Sequence, residues 1–292
     1  MSETSRSAFK KRSALKSLLF HLRRDNLALI GIFLVVLVVG SAILAPMLVP
    51  HEPNKINVRN RLKGPSIQHI LGTDQLGRDV FARVIMGSRI ALQVALISIS
   101  IAGSIGLTLG MLAGYGPKWL DGVLIVLFDT VRSFPTIMFA LAVVTLMGPS
   151  LNTVILVVIV TSIPVYGRIV RSQTQALRNN DFVMAERAMG AGTIRVLGLH
   201  MLPNVIGPLL IIASMDIPVV VTIEAGLSFL GLGVRPPTAS WGTILNDGYA
   251  FIRNTPWLVI AGGTPLILTT LGFTFLGEAL RDVFDPKLRR EV

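Results

Sequence analysis

The residues best equipped for chemistry are dispersed along the 292-residue chain. His21, His51, His69 and His200 lack the short spacings that bring imidazoles together on a metal, and each reads as a surface or interface side chain. With no cysteine, disulfides, thiolate metal sites and thiol nucleophiles are all excluded. A G-x-x-x-x-G-K-[ST] phosphate loop is absent, so the sequence carries no signature of nucleotide hydrolysis by that motif. No nucleophile and base stand in an arrangement that would support an intramembrane enzyme. The sequence therefore assigns no catalytic, cofactor-binding or metal-ligating residue.

Asp129, Arg132, Asp216 and Glu224 fall instead within apolar stretches. A charge at the centre of a membrane helix costs about 2.5–3.5 kcal/mol on insertion scales, so each needs a partner or a wet cavity. Asp129 and Arg132 are three residues apart and are expected to pair on one helix face. Asp216 and Glu224 are eight apart, nearly on one face, where they would either line a pathway or pack against protein, including a second subunit. Both readings stand. Pro135, Pro164 and Pro218 lie in or beside the same runs and mark faces turned toward protein or water, where a freed carbonyl is tolerated.

The elements that must hold these residues are membrane helices. Hydrophobic residues make up 52% of the chain, charged residues 15%, and the mean hydropathy is +0.68. An ordinary soluble domain carries about 25% charged residues, so a large soluble catalytic domain does not fit. Six spans of about 20–24 residues do fit the length. The predicted organisation is a cytoplasmic basic segment 1–26, a first span 27–50, an outer loop 51–89, a five-helix core 90–280 that includes a cytoplasmic loop 170–203, and a cytoplasmic tail 281–292. Within the core, spans are expected over 90–117, 122–147, 153–165, 205–225 and 256–276. Ala102, Gly106, Gly110 and Gly114 recur every four residues, a stripe of small side chains along which another helix can approach closely. Tyr115 and Trp119 follow at a polar turn, as interfacial aromatics do.

The net charge of +11 does not point to nucleic acid, because the basic residues lie between apolar runs with little aromatic interleaving. It points to orientation. With the N-terminus inside, 17 Lys and Arg face the cytoplasm, nine face outward and Arg132 lies within a span, which places both termini in the cytoplasm. The outer loop opposes this bias with Lys55, Arg59, Arg61, Lys63, Arg78, Arg83 and Arg89, although its length permits translocation.

The cytoplasmic loop has internal structure. Asn180 or Asp181 can cap a short helix from Phe182 to Met189 that ends at Gly190 and Gly192, and Thr193 can cap a second that must stop before Pro203. Such a pair would present a compact knob to a partner, or lie at the interface as an amphipathic loop helix. The segment resembles the EAA loop of ATP-binding-cassette importer permeases, E-A-A-x-x-x-G, nine residues, I-x-L-P. Ala185, Gly190, Leu202 and Pro203 match, whereas Met184 replaces the Glu, Glu186 the second Ala and His200 the Ile. Leu71-Gly72-Thr73-Asp74-Gln75-Leu76-Gly77-Arg78-Asp79-Val80, Gly87-Ser88-Arg89, Leu227 to Gly233, Pro236-Pro237, Trp241-Gly242-Thr243 and Gly277 to Lys287 are similar to the second permease type of the dipeptide, oligopeptide and nickel family.

That resemblance implies an all-α membrane protein of six transmembrane helices with cytoplasmic coupling helices, the type I importer permease fold, in a bacterial inner membrane. It also implies a homologous second permease, two cytoplasmic ATPases carrying ATP-Mg, an extracytoplasmic solute-binding protein and surrounding lipid. On its terms Ala185, Glu186, Arg187, Gly190, Ala191, Gly192, Leu202 and Pro203 couple the chain to an ATPase, and the chain itself binds no cofactor. A self-contained ion-coupled transporter or channel is the alternative; it would be marked by inverted repeats, and none is evident in the sequence.

Overall fold

The computed structural model describes residues 25–284. The basic segment before Asp25 and the end of the tail, with Lys287, Arg289 and Arg290, lie outside the described residues. Helix α1 (Asn26–Ile43) is opened by Asp25, whose carboxylate accepts the Leu27 N–H at 2.8 Å. A one-turn helix (Ala45–Leu48) and a folded loop lead to α2 (Val80–Tyr115), opened in the same way by Asp79 accepting from Ala82 N–H at 2.8 Å. Its 36 residues make a shaft about 54 Å long, enough to cross the membrane and project beyond it.

Helices α3 (Lys118–Ser133) and α4 (Thr136–Met147) meet at 86°. Pro135 explains the break, because its ring disfavours helical geometry for Phe134, which is extended at φ −86° and ψ 128°. The expected third span is thus a broken pair. Ser150 then caps α5 (Leu151–Arg178), which runs through the buried Pro164 well past the expected end of the fourth span at residue 165. The short α6 (Asp181–Ala188) follows.

The chain does not stop at Pro203 as expected. One α-turn (Thr193–Arg195), opened by Gly192 rather than by Thr193, continues through a π-helical stretch (Val196–Met201) into α7 (Leu202–Phe229). Pro203 sits at the start of α7 directly after the π stretch, whose wider register accommodates its ring and its missing N–H. Helices α8 (Trp241–Ala250) and α9 (Trp257–Phe284) complete the described chain. Among the described residues, five helices are long and apolar enough to cross a membrane, or up to six spans if the bent pair counts as one. Among the described residues there is no strand, only an isolated bridge between Thr73 and Asp79.

The small-residue stripe does what its spacing predicts. Ala102 is fully buried, and a methyl group on Gly106, Gly110 or Gly114 would strike Tyr166, Val170 and Thr174 of α5 in turn. Gly31 and Gly272 bring α1 and α9 together in the same manner. The valine-rich core (Val94, Val154, Val157, Val158, Val170) lies around this seam. Phe33, Val36, Val126 and Leu146 remain exposed on the chain's flanks, as a surface meant for lipid or a partner requires.

Candidate functional site

The shaft α2 separates two poles, one carrying α6 and one carrying the loop before Val80. At the first pole α6 ends in a Schellman turn. Gly190 takes φ +85°, the left-handed conformation that glycine adopts without penalty, while Ala191 N–H donates to Glu186 O and Gly190 N–H to Arg187 O, both at 3.0 Å. Val183, Val196 and Met201 are fully buried beneath the turn and fix α6 to the π stretch. Phe182, Met184, Met189, Ile194 and Leu199 point outward, with Met189 74% and Ile194 89% exposed. Arg187, Gly190, Ala191 and Gly192 line a hollow of about 310 Å³ with Tyr115 and Arg178. Ala185 and Pro203 are exposed and Leu202 is half-buried. The result is an anchored knob with an apolar, methionine-bearing outer surface, a type of surface that adapts to a partner.

Arginines on the end of α5 tie it, beside the knob, to α3 and to the end of the shaft. Arg171 forms a two-pronged ion pair with Asp121 of α3, its Nη2 lying 2.7 Å from Oδ2. Arg178 stacks over Tyr115, 5.8 Å from the ring centre, and donates to Gly116 O at 3.5 Å. Arg168 pairs with Asp129. This last contact corrects the expected Asp129–Arg132 pair: Asp129 reaches across to α5, and Arg132 is exposed with no ion-pair partner among the described residues. Glu186 and His200, two of the three departures from the EAA pattern, also meet, Oε2 lying 3.4 Å from Nε2.

At the opposite pole the quoted segments 71–89 and 227–243 form one buried assembly. Asp74 accepts from Leu76 N–H and Arg78 N–H, both at 2.9 Å, and from Arg78 Nε at 2.6 Å, while Arg83 Nε lies 3.6 Å away. Arg78 also reaches Asp247, 3.4 Å away and 169 positions along the chain. Trp241 Nε1 donates to Val84 O at 2.9 Å over Gly87. Gly77 turns at φ +71° against Asn57 O, where any side chain would collide. The loop expected over 51–89 is shorter than that, since Arg83 and Arg89 belong to α2; Arg78 in the loop and Arg83 in the first turn of α2 are buried against carboxylates.

Glu224 has no exposed surface within the chain. Ser228 Oγ donates to it at 2.7 Å and accepts from Val234 N–H at 3.2 Å, so Glu224 fastens the turn after α7. Asp216, half-buried, sits two turns away beside the Tyr166 hydroxyl of α5. The two acids therefore differ in surroundings despite their spacing. Sequence reasoning missed Asp121, Asp247 and a cluster of His51, His69 and Asp79; only Asp74 with Arg78, spaced i,i+4, carried a local signal.

Residues 106–290 match the family described as binding-protein-dependent transport system inner membrane component, and residues 13–65 match the N-terminal TM domain of oligopeptide transport permease C. The chain is 38% identical over 268 residues to the dipeptide transport system permease protein DppC of Alkalihalophilus pseudofirmus, covering 92% of this chain and 88% of that one. It is 38% identical over 267 residues to the glutathione transport system permease protein GsiD of Pectobacterium atrosepticum, covering 91% and 89%. The di/tripeptide transport system permease protein DppC of Pseudomonas aeruginosa is 35% identical, with 90% and 88% covered. A chain of the MetNI methionine ABC transporter in an inward-facing conformation has a similar fold, with a TM-score of 0.56 at 19% identity over 70% of this chain and 97% of that chain.

Proposed function

Because the chain belongs to the family of binding-protein-dependent transport system inner membrane components, we propose that residues 180–203 couple it to cytoplasmic ATPases and that its cargo is a peptide or peptide-like solute. The chain is a membrane-spanning permease subunit of an ABC importer. The observation that carries the coupling reading is the knob itself: a rigidly seated short helix presenting Met184, Met189 and Ile194 to the surroundings. Its pole is then cytoplasmic, with both termini on that side, and the Asp74–Arg78–Asp247 assembly faces outward toward a solute-binding protein. Half of the pathway would come from this chain and half from a homologous permease.

The proposed mechanism is mechanical. Two ATPases that close on ATP-Mg would carry the knob with them, and the arginine pins would transmit that displacement to α3 and α5. Asp216 and the exposed Arg132 are the ionisable groups best placed for the pathway or the second permease, whereas Glu224 serves within the chain. Peptide cargo rests on the dipeptide, di/tripeptide and glutathione relatives. An ion-coupled solitary transporter is not favoured.

The test is ATP-dependent uptake of a labelled dipeptide into vesicles holding the permease pair, ATPases and binding protein. Gly190→Arg forces a side chain into φ +85° and a cation onto the docking surface; the left-handed conformation alone costs about 1–2 kcal/mol locally. The expected result is an inserted subunit with uptake abolished. Unchanged uptake would contradict the coupling assignment, and uptake driven by an ion gradient without ATP would contradict the importer reading.

A further inference from the structure

We propose that His51, His69 and Asp79 bind a divalent d-block cation of the zinc class at the loop pole. Three separate segments converge there: His51 follows the end of the first membrane segment, His69 lies in the folded loop, and Asp79 opens α2. His69 Nδ1 lies 2.7 Å and His51 Nδ1 3.5 Å from Asp79 Oδ2, and the three donor atoms are all within 4.8 Å of one another. Around a tetrahedral ion with bonds of about 2.0–2.1 Å, ligand atoms stand about 3.3 Å apart. The His51–Asp79 distance already suits that geometry, and the His69–Asp79 pair, now at hydrogen-bond distance, would open by about 0.6 Å as an ion replaced the shared proton. Two imidazole nitrogens and one carboxylate oxygen suit zinc and its neighbours, whereas calcium and magnesium prefer oxygen alone.

Charge points the same way. The Asp79 side chain is only 3% exposed, and its Oδ1 is occupied by the Ala82 N–H. Its neighbour Arg78 turns instead to Asp74 and Asp247, so among the described residues no Lys or Arg pairs with Asp79. A buried carboxylate facing two imidazoles, with no fixed cation beside it, is an environment that a bound metal neutralises. The Asn60 side-chain amide stands 3.5 Å from His69 Nε2, the side from which an outer group orients a ligating ring. A hollow of about 250 Å³ bounded by Ile67, Gln68 and Phe81 opens onto His51 and Asp79 and leaves space for water as the fourth ligand. A bound ion would tie the exit of the first helix to the loop and to the start of the shaft.

The experiment uses the full importer complex, purified through an affinity tag free of histidine, stripped with a chelator and titrated with Zn²⁺ against a competing fluorescent chelator. Wild type is compared with His51→Ala, His69→Gln and, as a control, His200→Ala. The expected result is one more tightly held zinc per permease chain in wild type and in His200→Ala than in His51→Ala. The His51→Ala affinity should fall by more than the 10–100-fold typical of outer-shell changes. Because His51 is exposed and its loss leaves the helix cap intact, that variant is expected to elute with its partners as wild type does. Equal zinc content in wild type and His51→Ala would overturn the proposal, as would displacement of the ion by equimolar Ca²⁺ or Mg²⁺.

Discussion

The two poles of this permease hold their charges differently. At the loop pole Asp74, Arg78 and Arg83 are all but removed from water; Asp74 and Arg78 hydrogen-bond to each other and to further partners, while Arg83 donates through Nη1 to Asn54 Oδ1 and Pro237 O and holds its Nε 3.6 Å from Asp74. At the knob pole the Asp121–Arg171 pair is about a fifth to a quarter exposed and Asp129–Arg168 roughly half exposed. Buried ion pairs are costly to break because a lone buried charge remains, whereas exposed pairs contribute little and exchange readily with water. The loop pole is thus built as a fixed frame and the knob pole as a part that can shift. The coupling proposed for residues 180–203 calls for both.

Removing a charge from each pole tests this contrast. Asp74→Ala leaves Arg78 and Arg83 buried without their carboxylate, and the expected loss is about 3–5 kcal/mol, read as a large fall in melting temperature or in folded yield in detergent. Asp121→Ala should cost no more than about 1 kcal/mol by the same measurement. Its effect should appear in function, as fewer peptides imported per ATP hydrolysed. A large stability loss for Asp121→Ala together with a small one for Asp74→Ala would reverse the assignment of frame and moving part. The smallest effect is expected at the knob. Glu186→Ala and His200→Ile should each change stability by a few tenths of a kcal/mol, with the double variant recovering coupling lost in either single one; strict additivity would show that the two departures from the EAA pattern are independent.

The parts legible in the sequence are those governed by local spacing. The Ala102 to Gly114 stripe identified the face that α5 meets, and Gly190 identified the end of α6, because both follow from backbone geometry. Proline was less decisive. Pro135 breaks the chain by 86°, while Pro164 and Pro203 are absorbed, one within a continuous helix and one in a first turn after a π stretch. What separates them is packing and helix position rather than residue type. The partners of Asp129, Arg78 and Asp79 were illegible for another reason. Asp129 had a plausible neighbour at i+3 but found Arg168 on another helix, and Arg78 meets Asp247 only once α8 folds back over the loop. His51 and His69 looked unrelated because loop closure, not spacing, brings them to Asp79.

The knob is proposed as the surface on which an ATPase docks. The chain has no cysteine, so single cysteines can be placed without background. With Met189→Cys at the knob and Ser66→Cys at the loop pole, the intact complex is treated with a short thiol-to-amine cross-linker and resolved by mass. An adduct between Met189→Cys and the ATPase, altered in yield by ATP, is expected, and none from Ser66→Cys. An ATPase adduct from Ser66→Cys, with none from Met189→Cys in a complex that remains assembled, would contradict it.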